Sequence, residues 1–267
     1  MMNTKRIDSR KKLLCTTRCA LNVPRLVFLA VLLVVATAAS FADERGQAIA
    51  RRIDQLEATT SSRMRFEMSI HPADGGERRV FVIDSYERAN GDSLASFAEP
   101  RTIRGLRILS SGNNSWVFFP STGRIRKIAG SSRSGSVQGV GGDFSYEDLG
   151  AGTWANDFDF DLTGETDETW VLSGKAKNAD TVYDAILMTV SKKLERPMRI
   201  AFSSVKEGGF WKELTFSDYR DYSGRLRASV MEMRNTKTGS RTMVRLLEAA
   251  FDIRLEDRLF DPTRFDK

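Results

Sequence analysis

Past residue 42 the chain contains no cysteine, and over its full 267 residues it holds one histidine, His71. Cys15 and Cys19 both precede the apolar run described below, so the downstream chain has no disulfide framework, no thiolate nucleophile and no Cys-ligated metal. A single imidazole cannot build a His-rich zinc site, and any Ser/His/Asp triad would have to use His71. That residue lies between a strand-like stretch and Pro72 and reads as a turn histidine facing water. No G-x-S-x-G elbow, phosphate loop or dinucleotide fingerprint occurs, and neither cofactor nor metal is expected. Proline is sparse, with six residues, and no Pro-rich or charged linker divides the chain.

Long hydrophobic runs are also scarce, apart from residues 26–39 (LVFLAVLLVVATAA). These 14 residues follow a basic leader and precede Ser40-Phe41-Ala42, a small-x-small pattern. Spanning a bilayer core takes about 20 residues, so the expectation is a cleaved export signal over residues 1–42, with Ala36-Thr37-Ala38 as a second cleavage site. A single mature domain, 43–267, would then reside in the periplasm. The leader also distorts the charge balance. It carries seven of the 41 Lys and Arg and one of the 35 acids, leaving 34 of each in the mature chain. A neutral mature protein lacks the basic footprint of a nucleic-acid binder.

What the mature chain does have is alternation. Ile49, Ile53 and Leu56 recur at helical spacing within Asp43 to Thr60, which predicts one amphipathic helix. From Arg63 the period changes to two. Met64, Phe66, Met68 and Ile70 alternate with polar residues, and Ala73-Asp74-Gly75-Gly76 supplies a turn before a second run to Tyr86, which predicts a hairpin. Some eleven further runs, from Leu94–Phe97 to Arg241–Phe251, follow with turn residues between them and predict a large antiparallel sheet paired mainly in sequence order. Strand twist forces such a sheet to curl or split. A curled sheet under one helix has an interior that apolar side chains could line for a guest, or that they could simply fill. Alternation produces both.

Acids at every second position in Asp157-Phe158-Asp159-Phe160-Asp161 suggest calcium. A helix-loop-helix calcium site needs glycine where Leu162 stands, so these acids read as the wet face of a strand. Asp143, Glu147 and Asp148 are the carboxylates available for glycoside hydrolysis, with no separation to support it. Gly130 to Gly142, with five glycines and four serines, suits a loop and no strand. In the string that follows, Asp143 is placed to cap a short helical flap, with Phe144 and Leu149 turned inward and Glu147 and Asp148 outward.

Gly105 and Leu109, the Trp116 strand closed by Pro120, the basic strand Arg124-Ile125-Arg126-Lys127-Ile128 and above all Asp143-Phe144-Ser145-Tyr146-Glu147-Asp148-Leu149 resemble the LolA-like periplasmic outer-membrane lipoprotein-sorting proteins. The likeness is strongest over about residues 94–150, and Leu255 to Phe265 resembles that group's closing segment. The resemblance implies a mainly β (α+β) fold: a curled antiparallel half-barrel of about eleven strands, with an N-terminal helix and short helices over the concave face. It implies a non-catalytic, monomeric carrier whose cavity binds acyl chains of lipoproteins or other lipids for transfer between an inner-membrane transporter and an outer-membrane acceptor. Trp116, Phe118, Phe144, Tyr146 and Leu149 would meet the lipid, and Arg124, Arg126, Lys127 and Asp143 would meet headgroups or the flap. The alternative keeps the fold and drops the cargo: a periplasmic accessory or sensor module docking a membrane transporter.

Overall fold

The computed structural model describes residues 44–112, 114–128, 140–145, 148, 153–178 and 181–267. The leader expected to direct export and its expected cleavage sites, most of the Gly/Ser-rich loop, Tyr146, Glu147 and Leu149 lie outside the described residues.

One helix, α1 (44–57), precedes the sheet, as the spacing of Ile49, Ile53 and Leu56 predicts. The strands are β1 (Ser61–His71), β2 (Arg79–Arg88), β3 (Ser93–Glu99), β4 (Arg107–Ser111), β5 (Asn114–Phe119), β6 (Arg124–Ile128), β7 (Phe158–Glu165), β8 (Thr169–Ala176), β9 (Ala185–Ser191), β10 (Arg196–Ser204), β11 (Gly209–Tyr222), β12 (Arg225–Asn235) and β13 (Arg241–Phe251). A single-turn helix, α2 (Trp154–Asp157), leads into β7. Thirteen strands replace the eleven or so that the resemblance implied: the two runs of the hairpin and the eleven beyond it each form a strand, down to the five residues of β4 and β6.

All thirteen form one antiparallel sheet in the order β6-β5-β4-β3-β2-β1-β13-β12-β11-β10-β9-β8-β7. Neighbours are consecutive in sequence at every junction but one. β1 pairs β13 from His71↔Arg241 to Ser62↔Phe251, and the chain passes from β6 to β7 at the opposite edge. The sheet is therefore curled but open: β6 and β7 do not pair with each other. The segment between them has to travel from one edge to the other, and its described part, 140–145 with Asp148, packs on the inner face.

Alternation sorts each strand into two faces. On the inner face, Phe158, Phe160, Leu172, Ile186, Met188, Ile200 and Met233 form one buried cluster with Ala50 and Ile53 of α1. Met68, Ile70, Phe81, Ile83, Phe97, Ile108 and Val117 form a second. A third cluster lies on the outer face, where Leu94 and Leu109 are covered by Phe260 and Phe265 of the C-terminal segment. The acids of β7 behave as expected, with Asp159 and Asp161 exposed while Phe158 and Phe160 are buried. Asp157 closes α2 instead of entering the strand.

Candidate functional site

The inner face is covered by two elements, and each is pinned by polar contacts at defined points. α1 lies close to the β7 edge: a Cβ on Gly46 would stand 2.6 Å from Phe160 O and 2.7 Å from Leu162 N. Gln47 then completes that edge with its side chain, Oε1 accepting from Phe160 N at 2.9 Å and Nε2 donating to Ala155 O at 2.8 Å. Two turns on, the Asp54 carboxylate accepts from Trp154 N at 3.0 Å and Ala155 N at 2.8 Å, holding the start of α2. Burial raises the pKa of Asp54 although these two N–H groups oppose the shift.

The C-terminus of α1 is gripped from the far side by two arginines. Arg227 Nη2 donates to Glu57 O at 2.9 Å and Arg196 Nη2 to Leu56 O at 3.3 Å, which satisfies carbonyls that the helix leaves unpaired. Their guanidiniums also flank the Glu57 carboxylate. Arg227 Nε lies 3.0 Å from Oε2, and Arg196 Nε lies 2.8 Å from Oε1 as an ion pair without hydrogen-bond alignment. Burial is the dominant influence on this group, lifting the pKa of Glu57 and depressing that of Arg227 against their mutual attraction. The cations sit where the helix dipole is negative, so charge and backbone agree.

The second cover is a strap made of residues 140–145 and Asp148. Asp143 is buried, and its backbone N–H donates to Thr242 Oγ1 at 3.1 Å while its carboxylate accepts from Thr242 Oγ1 at 3.0 Å and Ser240 Oγ at 2.5 Å. These contacts tie the strap to the β12–β13 turn. Phe144 packs against both inner clusters and so fills the seam between the two halves of the sheet. At the other end Asp148 meets Lys212 of β11 at 2.7 Å, with side chains 6 % and 3 % exposed. The same carboxylate accepts from Ser145 N at 2.7 Å, Ser145 Oγ at 2.8 Å and Tyr183 OH at 2.7 Å, and Lys212 Nζ also donates to Tyr183 OH at 2.9 Å. Asp148 therefore points inward, contrary to the outward position expected of it. Asp143 caps no helix among the described residues. The polar groups are drawn in because Lys212 needs an anion once it is out of water.

The remaining candidate residues separate. Trp116 and Phe118 belong to the outer face, packed with the cluster beneath Phe260 and Phe265, and do not share a face with Phe144. In the basic strand, Arg126 pairs with Val117 and Arg124 with Phe119, whereas Lys127 pairs with Trp116 and stands 5.7 Å above its ring. Arg124 and Arg126 thus face one side and Lys127 the other, and Asp143 joins none of them. His71 ends β1 half-buried, its Nε2 3.2 Å from Ser69 Oγ. No cluster of His, Cys, Asp and Glu able to hold a metal occurs among the described residues.

Lys212 and Tyr183 were not singled out from the sequence. The signal was there for Lys212, which shares its strand phase with Leu214 and Phe216; a lysine on the apolar phase needs a buried partner. Beside α1 a depression of about 200 Å³ is lined by Ile49, Ile53, Trp170 and Val190, with the Arg52–Glu195 ion pair at its border. Such a volume is below the usual range for ligand pockets, about 300–1,000 Å³. Ile53 packs into the first inner cluster, Val140 into the second and Phe144 against both.

A family model described as "Uncharacterized protein" matches residues 89–267. No curated protein matches the sequence. Among solved structures, the chain is similar to a provisionally assigned outer membrane lipoprotein-sorting domain from Vibrio parahaemolyticus, at 24% identity and TM-score 0.74 over 84% of this chain and 100% of that one. A DUF1329 family protein from Desulfovibrio piger superposes at TM-score 0.75 with 24% identity, covering 82% of this chain and 97% of that one. A LolA superfamily protein from Nitrosomonas europaea gives 0.69 and 22%, covering 81% and 97%. At these identities the likeness carries the fold.

Proposed function

We propose that the chain, which shares the LolA-like fold of these structures and matches the family model over residues 89–267, is a LolA-like non-catalytic periplasmic carrier. On this reading the inner face of the half-barrel shelters the acyl chains of a lipoprotein or lipid and passes them toward the outer membrane. The observation that carries it is the way the inner face is closed. A curled, open sheet presents a continuous apolar surface, and Phe144, on a strap whose described residues are tied down chiefly by the side chains of Asp143 and Asp148, covers the seam. Side-chain anchors can be released and remade without breaking the ladder. A cargo chain that takes the place of Phe144 exchanges one apolar contact for another, at about 0.8 kcal/mol gained per methylene removed from water.

The structure described is then the closed form. The depression beside Ile49, Ile53 and Trp170, at the other end of the ladder from the ties of the strap, is where the far end of such a chain lodges. The carboxylates on the strap fit this role better than acid–base chemistry, since both Asp143 and Asp148 are held by donors that position the strap. The leader of residues 1–42 supports a periplasmic setting.

Binding of a fluorescent long-chain fatty acid to the mature protein tests the reading. Wild type should bind saturably, Phe144→Ala should bind more tightly, and Ala48→Trp, which fills the depression, should bind more weakly. No saturable binding by either wild type or Phe144→Ala would overturn it.

A further inference from the structure

The two most exposed large apolar side chains among those described lie on one turn. Val205 is 82% exposed and Phe210 is 56% exposed, on either side of the β10–β11 turn, whereas the remaining three such residues are scattered over other strands. This turn is a built display. Glu207 N donates to Ser204 O at 3.1 Å and Gly208 N to Val205 O at 3.1 Å, and the Val205 N–H is held by Asp184 Oδ2 at 2.5 Å. Gly208 and Gly209 take positive φ values of 76° and 121°, which glycine supplies without strain.

The neighbouring β12–β13 turn is bound to it. Lys237 Nζ donates to Glu207 O at 2.6 Å and Glu207 Oε2 at 2.8 Å, and Thr236 donates to Trp211 O through N at 2.9 Å and through Oγ1 at 3.0 Å. Lys237 holds the Glu207 carboxyl below its usual range and pairs with it, so Lys206 is the cation left over on the two turns, with the Asp184 carboxylate engaged behind it by Val205 N–H. An aliphatic and an aromatic side chain projecting beside lysine complement an anionic bilayer, whose interface takes apolar tips while its headgroups take the cation.

Register places this tip at the strap end of the sheet, the opposite end from Val190 and Glu195 beside the depression. The β10–β11 and β12–β13 turns lie at the same end of the antiparallel ladder. The strap is tied there too, through Ser240 to Asp143 at one point and through Lys212, two residues after Phe210, to Asp148 at the other. We propose that the paired turns are a membrane-docking tip, with Val205 and Phe210 entering the interface of an anionic lipid bilayer and Lys206 contacting its headgroups. The docking stands on the turns alone. Its use, to bring the strap end of the sheet against the bilayer so that an acyl chain never crosses bulk water, rests on the carrier reading.

The test is co-sedimentation of the mature protein with vesicles of phosphatidylcholine alone and with 30% phosphatidylglycerol, together with a Phe210→Trp variant titrated with brominated lipid. The expected result is partitioning that rises with phosphatidylglycerol and falls with salt, a loss of about tenfold or more in Val205→Ser/Phe210→Ser (each tenfold being ~1.4 kcal/mol) and quenching of Trp at position 210 by the bromines. Both side chains are exposed, so the double variant should keep the wild-type unfolding midpoint and fatty-acid binding; a docking failure is thereby separable from a carrier failure. Equal vesicle binding by wild type and double variant, or no binding to anionic vesicles, would overturn the proposal. Loss of crosslinking to a membrane protein by the double variant, with no vesicle binding by wild type, would overturn it in favour of a protein partner.

Discussion

The ion pair between Asp148 and Lys212 is the contact on which the closed strap depends most, and its removal has a definite sign. Both side chains are almost fully withdrawn from water, at 6 % and 3 % exposure. Converting Asp148 to Asn keeps the shape and the acceptor for Tyr183 but leaves a buried ammonium whose charge is uncompensated. Breaking one partner of such a pair costs about 3–5 kcal/mol, a large fraction of the total of roughly 5–15 kcal/mol that stabilises a domain. Lys212→Met removes the cation and keeps the apolar stem against Leu214, so the carboxylate is then the stranded charge. The double variant strands neither. Urea unfolding of the four proteins, followed by the fluorescence of Trp211, whose ring lies 5.1 Å from Lys212 Nζ, should give single costs near 3 kcal/mol and a coupling of about 2 kcal/mol, so that the double costs less than the sum. Single costs under about 1 kcal/mol, as for solvent-exposed pairs, or additivity within about 0.5 kcal/mol, would refute the claim that the pair is a buried latch.

Gly46→Ala should cost about 1–3 kcal/mol, since the added Cβ meets backbone of β7 that cannot turn aside, and a urea midpoint that does not fall would show that α1 sits less tightly than described. Phe144→Ala should cost about 3 kcal/mol, at the low end for a phenylalanine because the ring is only partly buried; the same unfolding assay measures it. Acid should destabilise the fold between pH 4 and 2. Hydrogen bonds from Thr60, then Arg225, hold Asp252 at about 2, below its unfolded value, so its stabilisation is present above pH 4 and is lost as pH falls through 2. Asp252→Asn should flatten the midpoint against pH in that window. Glu57 and Glu87, raised by burial, act in the opposite sense, their cost being relieved as pH falls.

The strands were legible because each buries one face, and alternation such as Met68 and Ile70 against Glu67 and Ser69 states that directly. Connectivity was less so. Nothing local in β6 or β7 says that they lie at opposite edges, since that follows from β13 returning to pair with β1, 172 residues away in the case of Thr242 and Ile70, through contacts only the folded sheet makes. The choice of face was the main loss. Trp116 and Phe118 carry the same alternation whether they line the interior or the outer cluster, and only the C-terminal Phe260 and Phe265 decide it. Phe144 was placed inward from its string and is found there. Asp148 was turned outward because carboxylates usually are, and the lysine that reverses the rule stands 64 residues later.

The central claim is that the inner face opens to take hydrocarbon. Native mass spectrometry of the mature protein isolated from periplasm, sprayed without detergent and followed by lipid extraction, tests it most directly. A bound lipid or lipoprotein released stoichiometrically, and retained less well by Ala48→Trp, is the predicted result; a bare polypeptide mass, with nothing extractable from wild type, would contradict it.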